Sequence, residues 1–269
     1  MVNSNQCYPT HAALEDSICS WGAIWLTMRN MRGGQLLLGS ELLGPLQFRA
    51  FEEEGYARGF KCVAGADEVG RGPLAGPVVA AVVILPRGFS HPEIKDSKLL
   101  TPKQREKLAP LIRDSAESWG LGVVEVEEID RINILKASLL AVVKALDCLT
   151  ARPDCLLIDG NQPIPRELIL NSKYFAGRSL YQKTIIKGDL LCRSIAAASI
   201  VAKVARDAMM VELDQQYPEY GFADHKGYAC AAHLEALRRH GPSAIHRRSF
   251  QPVRDTSLQC EADENDARE

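Results

Sequence analysis

The sequence predicts an α/β protein built on a mixed β-sheet, and three observations carry that expectation. Apolar residues make up 46% of the 269 and charged residues 25%, the balance of a globular chain with a sizeable core. Residues 61–67 and 77–85 read as strands on either side of EVGRGPLAG, a stretch too glycine-rich for a helix, so they form an antiparallel hairpin. Strands then alternate with amphipathic helices, and the order β-β-α-β-α-β-β-α-α fits a sheet flanked by helices. That order is neither strict βαβ alternation nor a barrel of eight units.

Each element has its own signal. Residues 1–45 lack sustained periodicity and read as a poorly ordered N-terminal extension; translation from Met28 or Met31 would omit much of it. Residues 48–58 form a short acidic helix closed by Gly59. Residues 61–67 are the first strand, and 77–85 (PVVAAVVIL) the second, almost wholly apolar. Thr101 caps a helix with Pro102 at its first position, running to about Glu117. Residues 119–126 are a third strand. From 127 to 149, Ile129, Ile132, Leu135, Leu139, Val142, Val143 and Leu146 keep the helical period, predicting one long amphipathic helix. Residues 154–158 are a short buried strand delivering Asp159 to its C-terminal end. Residues 181–186 are the next strand, followed by Lys187-Gly188-Asp189. An Ala-rich helix covers 191–216, and a last helix covers 227–240, stopped by Gly241-Pro242. Residues 46–254 are thus expected to be one domain, and 255–269 an acidic disordered tail.

The formal net charge of −2 hides an uneven distribution. The tail from Asp255 carries −5, the rest of the chain +3, and residues 225–254 alone +5. A basic region of this kind suits a polyanionic partner. The eight cysteines are scattered without a C-x-x-C pair, which favours reduced thiols. No apolar run approaches a membrane span, and residues 18–28 follow acids rather than a basic region, as a signal peptide would not. A cytoplasmic protein without a membrane partner is expected.

Candidate chemistry gathers at strand ends. In Asp67-Glu68-Val69-Gly70-Arg71-Gly72, adjacent carboxylates close a strand, and strand neighbours serve one site only where the strand ends or bends. On spacing alone this is as readily a turn whose charges face solvent. Asp159, before Gly160, reads first as a turn-former, and Asp189 as a helix cap. Together, four carboxylates without a Cys or His cluster select hard cations, Mg²⁺ or Mn²⁺. Two such ions about 3.5–4 Å apart would clamp both oxygens of a phosphodiester displacement. Ser97 and Lys98 could meet a phosphate, or sit in a solvated loop. His225-Lys226-Gly227-Tyr228 is read as opening a helix, suited to anion contact. Tyr228 would stack on a sugar or base, or be half-buried. His225, His233, His240 and His246 read as surface or phosphate-proximal groups, and Arg247-Arg248 as a solvated basic pair. A non-catalytic binding module and a metal-free two-carboxylate glycosidase remain as other classes; 6% aromatics suits the latter poorly.

The blocks VAGADEVGRGPLAGPVVAAVVIL, IKDSKLLTPKQREKL, LLIDGN, IIKGD, IAAASIVAKVARD, FADHKGYACAAHLEAL and HRRSFQPV, in this order, resemble the bacterial ribonuclease HII family from about Arg49 to Val253. The resemblance implies an RNase H-like mixed five-stranded sheet flanked by helices, with a small C-terminal helical portion. It implies endonucleolytic cleavage of RNA in RNA/DNA hybrids. It also implies incision 5′ to single ribonucleotides in duplex DNA, leaving 5′-phosphate and 3′-hydroxyl ends. By the same resemblance the metal-binding acids are Asp67, Glu68, Asp159 and Asp189, serving two Mn²⁺ or Mg²⁺ ions. Gly70, Arg71 and Gly72 would read the 2′-hydroxyl, and Tyr228 would pack at the RNA-to-DNA junction. Residues 166–178 look like an inserted loop near the site. The related type III enzymes carry Gly-Thr-Gly where this chain has Gly-Arg-Gly, which favours type II. A monomer is expected.

Overall fold

The computed structural model describes residues 50–94, 97–170, 172–173, 175 and 180–256. The expected N-terminal extension, Asp96, much of the end of the expected 166–178 insertion, and the tail from 257 onward lie outside the described residues.

Helix α1 (Ala50–Ala57) precedes strand β1 (Val63–Val69), which turns back into β2 (Val78–Ile84). Helix α2 (Pro102–Ser115) leads to β3 (Ser118–Val124). Next come α3 (Val126–Ile132), α4 (Ile134–Asp147) and β4 (Cys155–Asp159), then α5 (Arg166–Leu170) and β5 (Tyr181–Ile185). The chain continues with α6 (Gly188–Leu191), the long α7 (Arg193–Gln216), α8 (Phe222–His225) and α9 (Ala231–His240), followed by a short helical stretch over 251–256. The five strands form one sheet in the order β3-β2-β1-β4-β5. β1 and β3 run antiparallel to β2, while β4 runs parallel to both β1 and β5. This is the mixed sheet expected.

Helices cover both faces, which is why every residue of β2 (VVAAVVI) is buried. One face joins Ala64, Ala66, Val82 and Ile158 to Ala141, Val142 and Leu146 of α4. The other joins Ala81 and Val83 to Leu108 and Ile112 of α2 and to Ala197 and Ile200 of α7. A smaller cluster of Ala75, Met210, Tyr220, Phe222 and Ala236 seats the C-terminal helices against the β1–β2 connection. Cys62, Cys148, Cys155, Cys192 and Cys230 are free thiols. Among the described residues no helix is long and apolar enough to cross a membrane.

The start of α2 follows its sequence signal: Thr101 accepts from the Gln104 amide at 3.3 Å, and the Gln104 side chain accepts from the Thr101 amide at 2.8 Å. Several boundaries differ from expectation, four of them with consequences for the fold. The helix expected over 127–149 is two helices, because Asn133 takes φ 69° and its side chain caps α4 through the Lys136 amide at 3.1 Å. The last helix starts at Ala231, not at Gly227, because Lys226 and Gly227 both adopt positive φ (53° and 82°). Residues 255 and 256, expected in the tail, are helical. β1 also runs two residues past Asp67, since β2 continues to pair with it through Glu68↔Ala80 and Val69↔Val79.

Candidate active site

The last difference shapes the site. In the parallel pair, Ala66 lies opposite Ile158, so the next residues on the two strands are Asp67 and Asp159. Asp159 ends β4, and beyond it β1 is paired on the β2 side alone. Alternation puts Asp67 on the α7 face and Glu68, two residues after Ala66, on the α4 face. The sheet steps down beside them, and the charge of Asp159 at that step acts on both acids. A cleft on the α4 side is lined by Glu68, Arg71, Ser138, Asp159 and Asn161, while Asp67 and Asp189 stand outside its lining.

Asp67 is 8% exposed, and its Oδ1 accepts from the Glu68 amide at 2.8 Å. Burial, then the charges of Glu68 and Asp159, push its carboxyl well above the usual carboxylate range; a hydrogen bond with Ser199 opposes this. Burial also raises Glu68, against the pull of Arg71, whose Nη1 donates to Oε1 at 3.0 Å. Asp159 is raised by burial, with the Gly188 amide donating to its Oδ1 at 2.7 Å as the main opposing contact. That amide starts α6, the helix carrying Asp189, so Asp159 and Asp189 are tied through one turn of backbone. Asp189 is 3% exposed, and Lys98 Nζ stands 3.1 Å from its Oδ2.

The donor set suits a hard divalent cation. All four groups are carboxylates, and Asp67, Glu68 and Asp159 are raised first by burial and then by acidic neighbours, as expected where negative charge is gathered in a partly dry place. Among the described residues no three Asp, Glu, His or Cys side chains stand close enough together to hold a metal ion as they are placed. Lys98 and Arg71 instead lie against the outer acids.

Ser97 and Lys98 take different places. Ser97 is buried, with its hydroxyl 2.7 Å from that of Ser199, and so reaches Asp67 through Ser199. Lys98 keeps its side chain 77% exposed. Gly70 turns with φ 96°, and Arg71 and Gly72 are exposed beyond it. The Gly70 and Arg71 carbonyls accept from Arg247 (2.6 and 3.1 Å). In trans peptides the next N–H points the opposite way, so the Arg71 and Gly72 amides face away from Arg247. Tyr228 is 43% exposed, and its ring edge lies 3.7 Å from where a Cβ on Gly72 would stand.

His225-Lys226-Gly227-Tyr228 does not open a helix, so the expected N-terminal anion contact is absent; the segment is a left-handed link between α8 and α9. Two readings of side chains also fail. His233 and His246 are 0% and 1% exposed, not surface groups, because they pack with Tyr220 and Phe222. Arg247 is wholly buried, since its guanidinium fills the space behind the β1–β2 connection. Arg206 and Ser199 drew no notice in the sequence. Arg206 shares its Ala-rich helix with Arg193 and Lys203, and nothing in its spacing sets it apart from them.

A five-stranded mixed sheet with acids at the ends of its neighbouring central strands defines the class of RNase H-like nucleases. The profile of the family described as Ribonuclease HII matches residues 64–253. Ribonuclease HII of Geobacter sulfurreducens is 52% identical over 205 residues, 76% of this chain and 89% of that protein. Ribonuclease HII of Chlamydia caviae is 53% identical over 205 residues, covering 76% and 91%. The crystal structure of ribonuclease H2 from Pyrococcus horikoshii superposes with a TM-score of 0.59 at 31% identity, covering 74% of this chain and 98% of that one. The chain belongs to the ribonuclease HII family. It is a ribonuclease H hydrolase, an endoribonuclease of RNA/DNA hybrids, and its activity depends on a divalent metal.

Proposed function

We propose that this ribonuclease also incises duplex DNA on the 5′ side of a single embedded ribonucleotide, within a domain spanning residues 46–254. The observation that carries this is the packing of Tyr228 beside Gly72, next to the outward amides of Arg71 and Gly72 and one ion pair from Glu68. A 2′-hydroxyl can both accept from such amides and be missed when absent, which is how a site distinguishes RNA from DNA. Tyr228 would meet the following sugar, where a missing 2′-hydroxyl leaves room for its ring.

Asp67, Glu68, Asp159 and Asp189 would hold two divalent cations, Mn²⁺ or Mg²⁺. Bound there, such ions would lower the pKa of the attacking water and offset charge on the scissile phosphate. Ser199 and the Gly188 amide keep Asp67 and Asp159 oriented as acceptors. Lys98 would move from Asp189 to a substrate phosphate as the acids take up their cations. The reading includes a monomeric, cytoplasmic enzyme.

The test is a labelled DNA duplex with one ribonucleotide, incubated with Mn²⁺, Mg²⁺ or EDTA beside an all-DNA control. Metal-dependent incision 5′ to the ribonucleotide with the control intact supports the proposal. Cleavage of a long hybrid without that incision would refute it and favour type III behaviour.

A further inference from the structure

Beneath Tyr228 lies a chain of imidazoles whose proton positions the backbone dictates. The Ser243 amide donates to His246 Nδ1 at 3.0 Å, so that nitrogen carries no proton and Nε2 must. His246 Nε2 is 3.0 Å from His233 Nε2, which therefore accepts. His233 is left with its proton on Nδ1, 2.9 Å from the Tyr228 carbonyl. The third ring, His225, stacks on His233 at 4.5 Å. It accepts from the Gly227 amide through Nδ1 at 3.2 Å and donates from Nε2 to the Tyr220 carbonyl at 2.8 Å. Every ring nitrogen has a partner when all three rings are neutral. Burial, the first cause, lowers both His233 and His246 and keeps them so.

The backbone here needs such help. Two successive left-handed residues, Lys226 and Gly227, leave the carbonyls of 226–228 without a helical ladder to enter. Each finds a donor elsewhere. Arg206 Nη1 donates to Lys226 O at 3.1 Å, the Leu74 amide to Gly227 O at 2.8 Å, and both His233 Nδ1 and the Cys230 amide to Tyr228 O at 2.9 Å. The first two donors also belong to the packing around residues 70–77, since Arg206 additionally holds the Ala75 and Pro77 carbonyls. His233 helps to fix the peptide of the ring-bearing residue itself. An apolar side chain such as that of Leu237, one turn on, would fill space at position 233 but offer no group to Tyr228 or His246.

We infer that His233 is a positioning residue for Tyr228: the His246–His233 relay orients the Tyr228 peptide and holds its ring at the site's ribonucleotide-reading loop. This rests on the reading of Tyr228 as the junction contact. The discriminating quantity is the ratio of incision at a single ribonucleotide to cleavage of a long hybrid. His233→Asn keeps a donor where Nδ1 stood and loses the contact to His246. His233→Gln keeps an acceptor where Nε2 stood and loses the donor to Tyr228. His233→Gln is expected to lower the ratio roughly tenfold, and His233→Asn to keep it within about twofold, since one neutral hydrogen bond is worth about that much. A merely structural role predicts that both variants keep the parental ratio, whatever each loses in Tm. Tyr228→Ala should lower the ratio at least as far as His233→Gln. If it does and His233→Gln does not, the inference fails while the reading of Tyr228 stands; if Tyr228→Ala leaves the ratio unchanged, both fall. Nitrogen-15 spectra of the parent protein give a check free of mutation. They should show His233 protonated at Nδ1 and His246 at Nε2, and the reverse assignment overturns the relay.

Discussion

Gly70 faces Arg206 so closely that a Cβ on the glycine would fall 2.2 Å from the guanidinium Nε and 2.8 Å from the Pro77 carbonyl. Arg206 cannot retreat, because it is fully buried and bonded to the Pro77, Lys226 and Ala75 carbonyls. Gly70 also sits at φ 96°, where a side chain is strained by roughly 1–2 kcal/mol before any clash. Gly70→Ala should therefore displace the loop. A lower Tm, together with a larger loss of single-ribonucleotide incision than of hybrid cleavage, is expected from melting and parallel cleavage assays.

Arg247 serves the same loop from the other side, through the carbonyls of Gly70, Arg71 and Gly76. Burial brings its guanidinium down to about 9, still charged at neutral pH. Three carbonyls at one planar fork are a geometry an ammonium cannot span. Arg247→Lys should thus fail to rescue what Arg247→Met loses. Urea unfolding should place both variants about 3 kcal/mol or more below the parent, the cost of stranded buried carbonyls.

Asp67 is held above the ordinary carboxylate range by burial and by its acidic neighbours, so its charge opposes folding when no cation is bound. Asp67→Asn keeps the shape and removes the charge. In EDTA the variant should melt at or above the parent. In Mn²⁺ its cleavage of hybrid should fall on the order of a thousandfold, as for loss of a main electrostatic contact. Hybrid binding, read by filter retention across a salt series, should persist.

These sites were unequally legible in the sequence. The strands, α2 and the acids of β1 and β4 are legible because apolar runs, Thr101-Pro102 and acids at strand ends are local signals, whereas Asp189, in the first turn of α6, reads alone as a cap. Asn133 hid the break between α3 and α4, because the apolar period continues across it and only its φ departs from helix. β1 ends two residues beyond the sequence expectation for a similar reason: pairing with β2, a tertiary fact, carries the strand past its glycine-bounded acids. Arg206, His233, His246 and Arg247 were illegible as structural parts, since their partners are backbone carbonyls and each other. Side chains of that kind read as surface groups until the fold encloses them.

Acid should expose the imidazole relay. Burial and the neighbouring imidazoles hold His246 down at about 3, against an ordinary 6.5. A base with a depressed folded pKa contributes fully above the unfolded value and loses that contribution as pH falls from 6.5 toward 3. At pH 5 the loss from this one group is about 2 kcal/mol by linkage. His246→Gln can still donate to His233 but cannot take up a proton. Urea unfolding at pH 7.5 and 5.0 should show a smaller difference between the two pH values for the variant than for the parent.

The position of Ser199 against Asp67 depends on how near α7 comes to β1, and Gly65 sets that approach. A Cβ on Gly65 would lie 2.3 Å from the Ile195 amide nitrogen and 2.3 Å from the Ser194 carbonyl carbon. Those are backbone atoms of the first turn of α7, which cannot swing aside as a side chain would. The same turn is anchored from behind, since Glu52 accepts from both the amide and the hydroxyl of Ser194 at 2.9 Å. Gly65→Ala must therefore push helix and sheet apart, a form of overpacking that costs about 1–3 kcal/mol or more. It should also loosen the Ser97–Ser199–Asp67 contacts at a distance from the added methyl. The expected outcome is a lowered Tm and a weakened response of cleavage to Mn²⁺, with more metal needed for half-maximal rate. A variant that loses stability but keeps the parental metal requirement would show that Ser199 does not depend on this approach.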